Sequence, residues 1–317
     1  MTENTKVKQT VIITGGNSGL GYQCAKAIAR SDKSWNIVIA SRNPHRVKAA
    51  VQRLIAETKH PYIEGFELDL ASLQSVRHFI EQLSQSDLPP IKGAICNAGV
   101  QFVKGDVYTQ DGFEATFGVN HLGHFLLVNL LLPYLKNDSR IILVSSDTHD
   151  PRIKTGMPVP QYCHPHQMAF PSQQTPRKIA GRVGRRRYTT SKLCNLLFAY
   201  ELDRRLQNDE RMIRVSAFNP GLMLDTQLAR GYSIKEMLAL VIGQFWHLLP
   251  HILRFRNSKK MGRALASLLF NPSFAEVSGK YFDAFKEIPS SPESYDRNKA
   301  RELWNESIQL VGLRNSV

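Results

Sequence analysis

TVIITGGNSGLGYQCAKAIARS, residues Thr10 to Ser31, is the stretch on which the reading of the fold turns. Thr10 to Thr14 is a short apolar run suited to a buried strand, and Leu20 to Ser31 carries a helical pattern of apolar residues. Between them lie Gly15, Gly16, Asn17, Ser18 and Gly19, with Leu20 and Gly21 opening the helix. Glycines at these points let the backbone approach a pyrophosphate, and the positive end of the helix faces it. A tight turn that needs positive φ is the plainer reading of the same glycines; the order strand, loop, helix favours the phosphate cradle.

Outward from this unit the same alternation continues. Strands are expected near Asn36 to Ala40, Ile63 to Leu68, Gly93 to Cys96, Arg140 to Val144, Arg214 to Phe218 and Lys280 to Ala284. Helices are expected near His45 to Thr58, Leu73 to Gln85, Gly112 to Leu135, Thr189 to Gln207 and Lys259 to Leu269. Strands alternating with longer helical segments make an α/β fold, here a doubly wound parallel sheet of seven strands with helices on both faces.

Ligands of such sheets sit at the carboxyl ends of the strands, so the residues there are candidates. The second strand ends in Ser41, Arg42 and Asn43, with no acidic residue to meet the ribose hydroxyls of an unphosphorylated cofactor. Arg42 can instead fork onto a 2′-phosphate, helped by Ser41 and Asn43, which points to NADP(H); a solvated surface arginine is the alternative. Asp69 and Leu70 follow the third strand, and Asn97, Ala98 and Gly99 follow the fourth. Asp69 could cap the next helix or approach adenine, and Asn97 could chiefly tie neighbouring strands.

Residues 147–187 break the rhythm with six prolines and read as a long irregular insertion, ending in Arg177, Lys178, Arg182, Arg185, Arg186 and Arg187. Directly after it come Tyr188, Thr189, Thr190, Ser191 and Lys192 at the start of a helix. A spacing of four sets phenol and ammonium on one helix face. A phenol is too weak an acid to exchange protons near neutrality, and an adjacent cation favours its phenolate. Such a pair alone is usually a surface contact; the nucleotide loop upstream changes its meaning.

Thr14 to Gly21, Asn97 to Gly99, Tyr188 with Lys192, and Asn219-Pro220-Gly221 together resemble the short-chain dehydrogenase/reductase family over nearly the whole chain. The resemblance implies a single Rossmann domain over residues 1–317 and an NADP(H)-dependent oxidoreductase. It adds Pro220, Gly221 and Thr226 to the cofactor contacts, together with Tyr188 and Lys192 themselves. It places the catalytic serine at Val144-Ser145-Ser146, with Ser146 the better match and Ser145 the fallback, and assigns Asn120 of Val119-Asn120-His121-Leu122-Gly123-His124 to a proton relay. In the implied mechanism Ser146 and Tyr188 bind the substrate oxygen, and Lys192 holds the nicotinamide ribose and polarises Tyr188. Ser146 precedes Tyr188 by 42 residues, because the insertion lies between them.

Within that family the chain is similar to the retinol dehydrogenase-like members through Ser41-Arg42-Asn43 and Asn120 to Phe125. It is also similar to the light-dependent protochlorophyllide oxidoreductases. Cys96, Leu193-Cys194-Asn195, Asp225-Thr226, Glu302-Leu303-Trp304 and Leu310 to Leu313 carry that second likeness. It departs from the photoenzymes in having Leu222 where they carry cysteine and Thr189-Thr190 where they carry Lys-Asp. A carbonyl or alcohol group on a bulky hydrophobic small molecule is therefore the expected substrate, with tetrapyrrole C=C reduction as the alternative and a catalytically silent NADP-binding sensor or scaffold as a more distant one.

Composition restricts the remaining classes. With 41 Lys+Arg against 27 Asp+Glu the net charge is +14, which could draw nucleic acid, anionic lipid or an acidic ligand. No recognition motif supports nucleic acid. Residues 1–10 lack a signal sequence, and the nearest approach to a spanning run, Leu238 to Leu253, is interrupted by Gln244, His247, Pro250 and His251, so a cytoplasmic protein is expected. Met237 to Leu253, within a segment at about 226–258, could be a substrate lid, an interfacial helix touching a membrane peripherally, or a core or dimer contact. Cys24, Cys96, Cys163 and Cys194 have no paired spacing, and Cys163-His164-Pro165-His166 with His149 reads as exposed loop rather than metal ligands. The family resemblance implies a homodimer through the helices near Gly112 to Leu135 and Thr189 to Gln207, with a monomer as the alternative.

Overall fold

A strand points successive side chains to opposite faces, and here both faces are apolar. The computed structural model describes residues 7–172, 174–223 and 256–314. In β1 (Gln9–Thr14) Val11 and Ile13 enter one core while Ile12 enters the other. β2 (Trp35–Ser41) divides the same way, Ile37 and Ile39 against Val38 and Ala40. The first core is closed by α1 (Gly19–Ser31) and α2 (Pro44–Thr58), and later by α8 (Ser258–Phe270). The second is closed by α3 (Leu73–Gln85), by α4 (Ala115–Phe117) with α5 (Gly123–Leu131), by α7 (Ala180–Leu206) and by α9 (Arg297–Leu310).

The other strands are β3 (Ile63–Glu67), β4 (Ile91–Cys96), β5 (Leu135–Val144), β6 (Arg214–Asn219), β7 (Lys280–Asp283) and β8 (Lys286–Ile288). They form one sheet in the order β3-β2-β1-β4-β5-β6-β7-β8. All neighbours are parallel except β7 and β8, which pair antiparallel, so the expected seven-stranded parallel sheet gains a short eighth strand. Three residues with Lys286 and Glu287 exposed give no apolar alternation to read, and the charges blunt the open edge. Chain order reverses between β1 and β4, and the crevice beyond their carboxyl ends is where such sheets bind ligands.

Four helical segments depart from the sequence reading. The single helix expected from Gly112 to Leu135 is broken: Gly112 has φ of 84°, a π-helical turn spans Gly118–Leu122, and Pro133 ends the run before β5. α7 begins at Ala180, eight residues before Tyr188, so the last part of the insertion and most of its basic cluster are helical. Those first turns show no apolar stripe because backbone packing holds them: a Cβ at Gly184 would stand 1.8 Å from the carbonyl oxygen of Phe102. α6 (Pro165–Ala169) is a further turn of helix inside the insertion. α9 is an element the sequence reading omits, although Asp296 caps it through Asn298 N and Lys299 N and Ala300, Leu303, Trp304 and Ser307 are buried at helical spacing.

The stretch Ala115–Tyr134 corrects the expectation that no segment is long and apolar enough to span a membrane. Among the described residues it is the one that qualifies by length and composition, and 89% of it is buried within the fold, as befits a central helix of a doubly covered sheet. The segment near 226–258 lies, up to residue 255, outside the described residues.

Candidate active site

The loop after β1 is built by its glycines and by one threonine. Gly15 and Gly19 have φ of 65° and 54°, values that side chains resist. Gly21 is needed for proximity: a Cβ there would lie 2.6 Å from both Asn97 Nδ2 and the Gly15 carbonyl. Thr14 Oγ1 accepts from Asn97 N (2.9 Å) and Ala98 N (3.0 Å), which leaves its proton for His124 Nε2 at 2.9 Å. Asn97 Nδ2 donates to Thr14 O at 2.8 Å. Asn97 thus ties β4 to β1, the plainer of its two sequence readings, and in doing so shapes the floor of the loop.

Ser18 stands at the N-cap of α1 with its side chain making no cap bond; Asn17 and Ser18 are half-buried, while Leu20 belongs to the core. Arg42, just past β2, is exposed and has no hydrogen bond or ion pair among the described residues. Beside it Asn43 Oδ1 accepts from Arg46 N at 2.9 Å and caps α2, an interaction worth about 1 kcal/mol, which leaves its Nδ2 as the donor next to Arg42. Asp69 does not cap α3; Ser72 does, accepting from Ser75 N. Asp69 Oδ1 instead closes a local turn onto Ala71 N at 3.0 Å, and Leu70 is buried against Gly123.

Across the crevice α7 carries Tyr188 and Lys192 on one face, with Lys192 Nζ 5.5 Å from the centre of the half-buried Tyr188 ring. Lys192 is 3% exposed, donates to Val144 O at 3.1 Å, and has its pKa pushed down to about 8 by burial. Asn120, in the π-helical turn, accepts from Val100 N (2.7 Å) and donates to Val100 O (3.0 Å) and Ser191 Oγ (2.9 Å). Gly99 is wedged between the two, since a Cβ there would sit 3.4 Å from Asn120 Oδ1 and 3.6 Å from Lys192 Nζ. Asn120 O faces His124 Nδ1 at 3.2 Å. His124, held neutral by burial with its pKa near 4, therefore joins this carbonyl to Thr14 of the cofactor loop. The sequence reading used His124 only as part of a motif; its two partners come from separate elements and share no local pattern.

The choice between the two serines follows from their bonds. Ser145 is buried and donates to Lys192 O at 2.8 Å, which commits it to bolting β5 to α7. Ser146 is half-buried, with its Oγ 3.2 Å from Asp147 Oδ1 and 3.3 Å from Thr148 N. Asn219 at the end of β6 accepts from Asp147 N (3.2 Å) and Gly221 N (2.9 Å) and donates to Asp283 Oδ1 (2.8 Å). Gly221 has φ of 68°, and a Cβ there would meet Arg256, which forks onto Asp283 at 2.6 and 2.7 Å. Pro220 is buried beside them, and Thr226 lies outside the described residues.

The insertion is anchored at both ends of this site. Thr175 and Arg187 both bind Asp106 on the loop after β4, and Gln161 N donates to Thr190 Oγ1 at 3.0 Å. The supposed loop cluster divides: His164 and His166 are exposed, Cys163 is half-buried, and His149 is 1% exposed and fully engaged, a correction to its reading as loop. The four cysteines are free thiols.

A family model described as short chain dehydrogenase matches residues 9–157. Human (Homo sapiens) retinol dehydrogenase 13 is 36% identical, the match covering 96% of this chain and 85% of the relative. The chloroplastic protochlorophyllide reductase of Daucus carota is 34% identical over 98% of this chain and 80% of its own length. Among solved structures, an uncharacterized protein from Mycobacterium paratuberculosis superposes with a TM-score of 0.65 at 28% identity, covering 97% of this chain and 94% of that one. A blue fluorescent protein from a metagenomic library, solved in complex with NADPH, shares the fold at a TM-score of 0.63 and 22% identity, over 89% of this chain and 99% of that one. On relatives this similar over nearly their whole length, the chain belongs to the short-chain dehydrogenase family of oxidoreductases.

Proposed function

We propose that this oxidoreductase interconverts a carbonyl and an alcohol on a bulky hydrophobic small molecule, using NADP(H). The observation that carries the reading is the packing of Tyr188, Lys192, Asn120 and Gly99 into one cluster, bolted through Ser145 to the strand end that presents Ser146. The residues fit a phosphorylated dinucleotide: the Gly15 to Gly21 turn would hold the pyrophosphate, Asn97 to Gly99 and Lys192 the nicotinamide half, and the unpaired Arg42 the 2′-phosphate. When bound, the nicotinamide supplies or takes the hydride. Ser146 and Tyr188 hydrogen-bond the substrate oxygen, and in reduction Tyr188 gives it a proton. Lys192, its charge confined by burial, favours the Tyr188 phenolate left behind, and Asn120 holds the Val100 backbone and Ser191 under Tyr188.

NADPH oxidation with a panel of hydrophobic aldehydes and ketones tests the reading, and turnover is expected. Tight NADPH binding without turnover, unchanged in Tyr188→Phe, would favour a sensor. Reduction of protochlorophyllide only in the light would replace the carbonyl substrate; Leu222 and Thr189-Thr190 weigh against it. Cofactor choice has its own measurement. Arg42→Leu is expected to lower kcat/KM with NADPH about 10- to 100-fold, as for a lost charge-assisted contact, and to leave NADH within about threefold. Equal losses with both cofactors would remove Arg42 from the 2′-phosphate site.

Of the two assembly states implied, the monomer is our proposal. α9 lies on the helices a dimer would use: Trp304 packs at 5.0 Å against the Phe125 ring of α5 and at 5.8 Å against Phe198 of α7, and Ser307 binds His121. Light scattering on the eluted protein should give the mass of one chain; a mass of two would show that another surface associates.

A further inference from the structure

Three residues beyond Ser146, His149 is buried with both ring nitrogens engaged. Nε2 lies 3.0 Å from Ser291 N, and Nδ1 lies 2.5 Å from the Ser146 carbonyl oxygen. These partners decide the tautomer. A backbone N–H only donates, so Nε2 presents its lone pair; a carbonyl oxygen only accepts, so Nδ1 carries the proton. Behind His149 the Ser291 turn is stiffened by its own bonds: Tyr200 OH pairs with Ser290 Oγ at 2.7 Å, and Ser294 Oγ donates to Ser291 O at 2.6 Å. The Tyr281 ring packs edge-on to the imidazole at 5.2 Å.

The peptide between Ser146 and Asp147 is consequently gripped at both ends. His149 holds its carbonyl, and Asn219 Oδ1 accepts its N–H at 3.2 Å. We infer that His149 is a positioning residue: by fixing this peptide plane against the Ser291 turn it aims the Ser146 hydroxyl at the substrate oxygen. Ser146 Oγ itself donates to Asp147 Oδ1 (3.2 Å) and accepts from Thr148 N (3.3 Å), so the loop that His149 fixes is also the one that fixes where this hydroxyl stands. The inference rests on the reading of Ser146 as a residue that touches substrate.

Two substitutions separate the two bonds. His149→Asn sets an amide N–H near the Nδ1 position and keeps the donor to Ser146, whereas His149→Gln sets a carbonyl near Nε2 and keeps only the acceptor for Ser291. His149→Gln is expected to lower kcat about 10- to 100-fold with KM for NADPH within about twofold, and His149→Asn to recover most of that loss. In a Ser146→Ala background His149→Gln should cost no more than about twofold, because the group it positions is gone. Losses that multiply in the double variant, or an Asn variant no better than Gln, overturn the inference. Imidazole ¹⁵N spectra of the wild-type protein keep it testable apart from turnover. If no carbonyl is reduced, the reductase reading fails, while Nδ1 protonated and Nε2 bare near neutral pH still support the grip on Ser146; a protonated Nε2 there overturns it.

Discussion

Tyr188→Phe is expected to lower kcat for carbonyl reduction about 1,000-fold, with NADPH affinity within about threefold and thermal stability nearly unchanged. The substitution keeps the ring, and with it the packing on α7 and the approach of Lys192 Nζ at 5.5 Å. What it removes is the hydroxyl that, in the proposed function, gives the substrate oxygen its proton. Ser146 cannot substitute, because an alcohol in this setting is a far weaker acid than a phenol beside a cation. Steady-state rates and a fluorescence titration of NADPH check the two halves separately. Activity within about tenfold of wild type would mean that another group, or solvent, supplies the proton.

Lys192→Met should abolish most turnover, by about 100- to 1,000-fold, and at the same time stabilise the protein. The cause of the second effect is burial. An ordinary lysine keeps its proton to about 10.4, and the fold lowers this one to about 8. Between those values the unfolded chain binds more protons, so stability rises with pH across that window; below it both states are charged and the fold bears the full cost of the buried ammonium. Removing the charge at pH 7 should therefore raise stability by about 1–3 kcal/mol, a Tm increase of a few degrees. The Val144 carbonyl is not orphaned by the change, since Asn195 Nδ2 still reaches it at 3.2 Å. A thermal melt at pH 7 and again at pH 9.5 provides the check: the gain should shrink at the higher pH. A Tm that falls at both would show that Lys192 is structural rather than held at a cost for chemistry.

Much of the site was readable along the chain because each part of it is local. The turn from Gly15 to Gly21 needs small residues between one strand and one helix, and the Tyr188 to Lys192 pair is a single helical turn. Strand positions were readable for the same reason, since the faces of β1, β2, β4 and β6 and the end of β5 are apolar and the runs are bounded by turns. The readings that failed depend on partners far away. The first turns of α7 are held by a backbone crossing at Gly184, α9 by Trp304 among rings from α5 and α7, and neither produces an apolar run to recognise. Asn43, offered for the cofactor, also caps α2 through its Oδ1, a local role that the side chain's two ends allow together.

By itself the sequence determined the α/β order and singled out the glycine turn and the Tyr188 and Lys192 pair as candidates, because glycine spacing, strand alternation and a helical repeat of four are properties of consecutive residues. Only the tertiary structure decided which serine is committed to Lys192 O, that His124 and His149 tie the site's loops together, and that Lys192 sits buried enough for its pKa to fall to about 8. The physical reason is that hydrogen-bond partners and desolvation are set by what the fold brings from distant positions. Ser145 and Ser146 are chemically alike and adjacent; one turns inward to the carbonyl of Lys192, and the other stays half-buried and caps its own loop through Asp147 and Thr148.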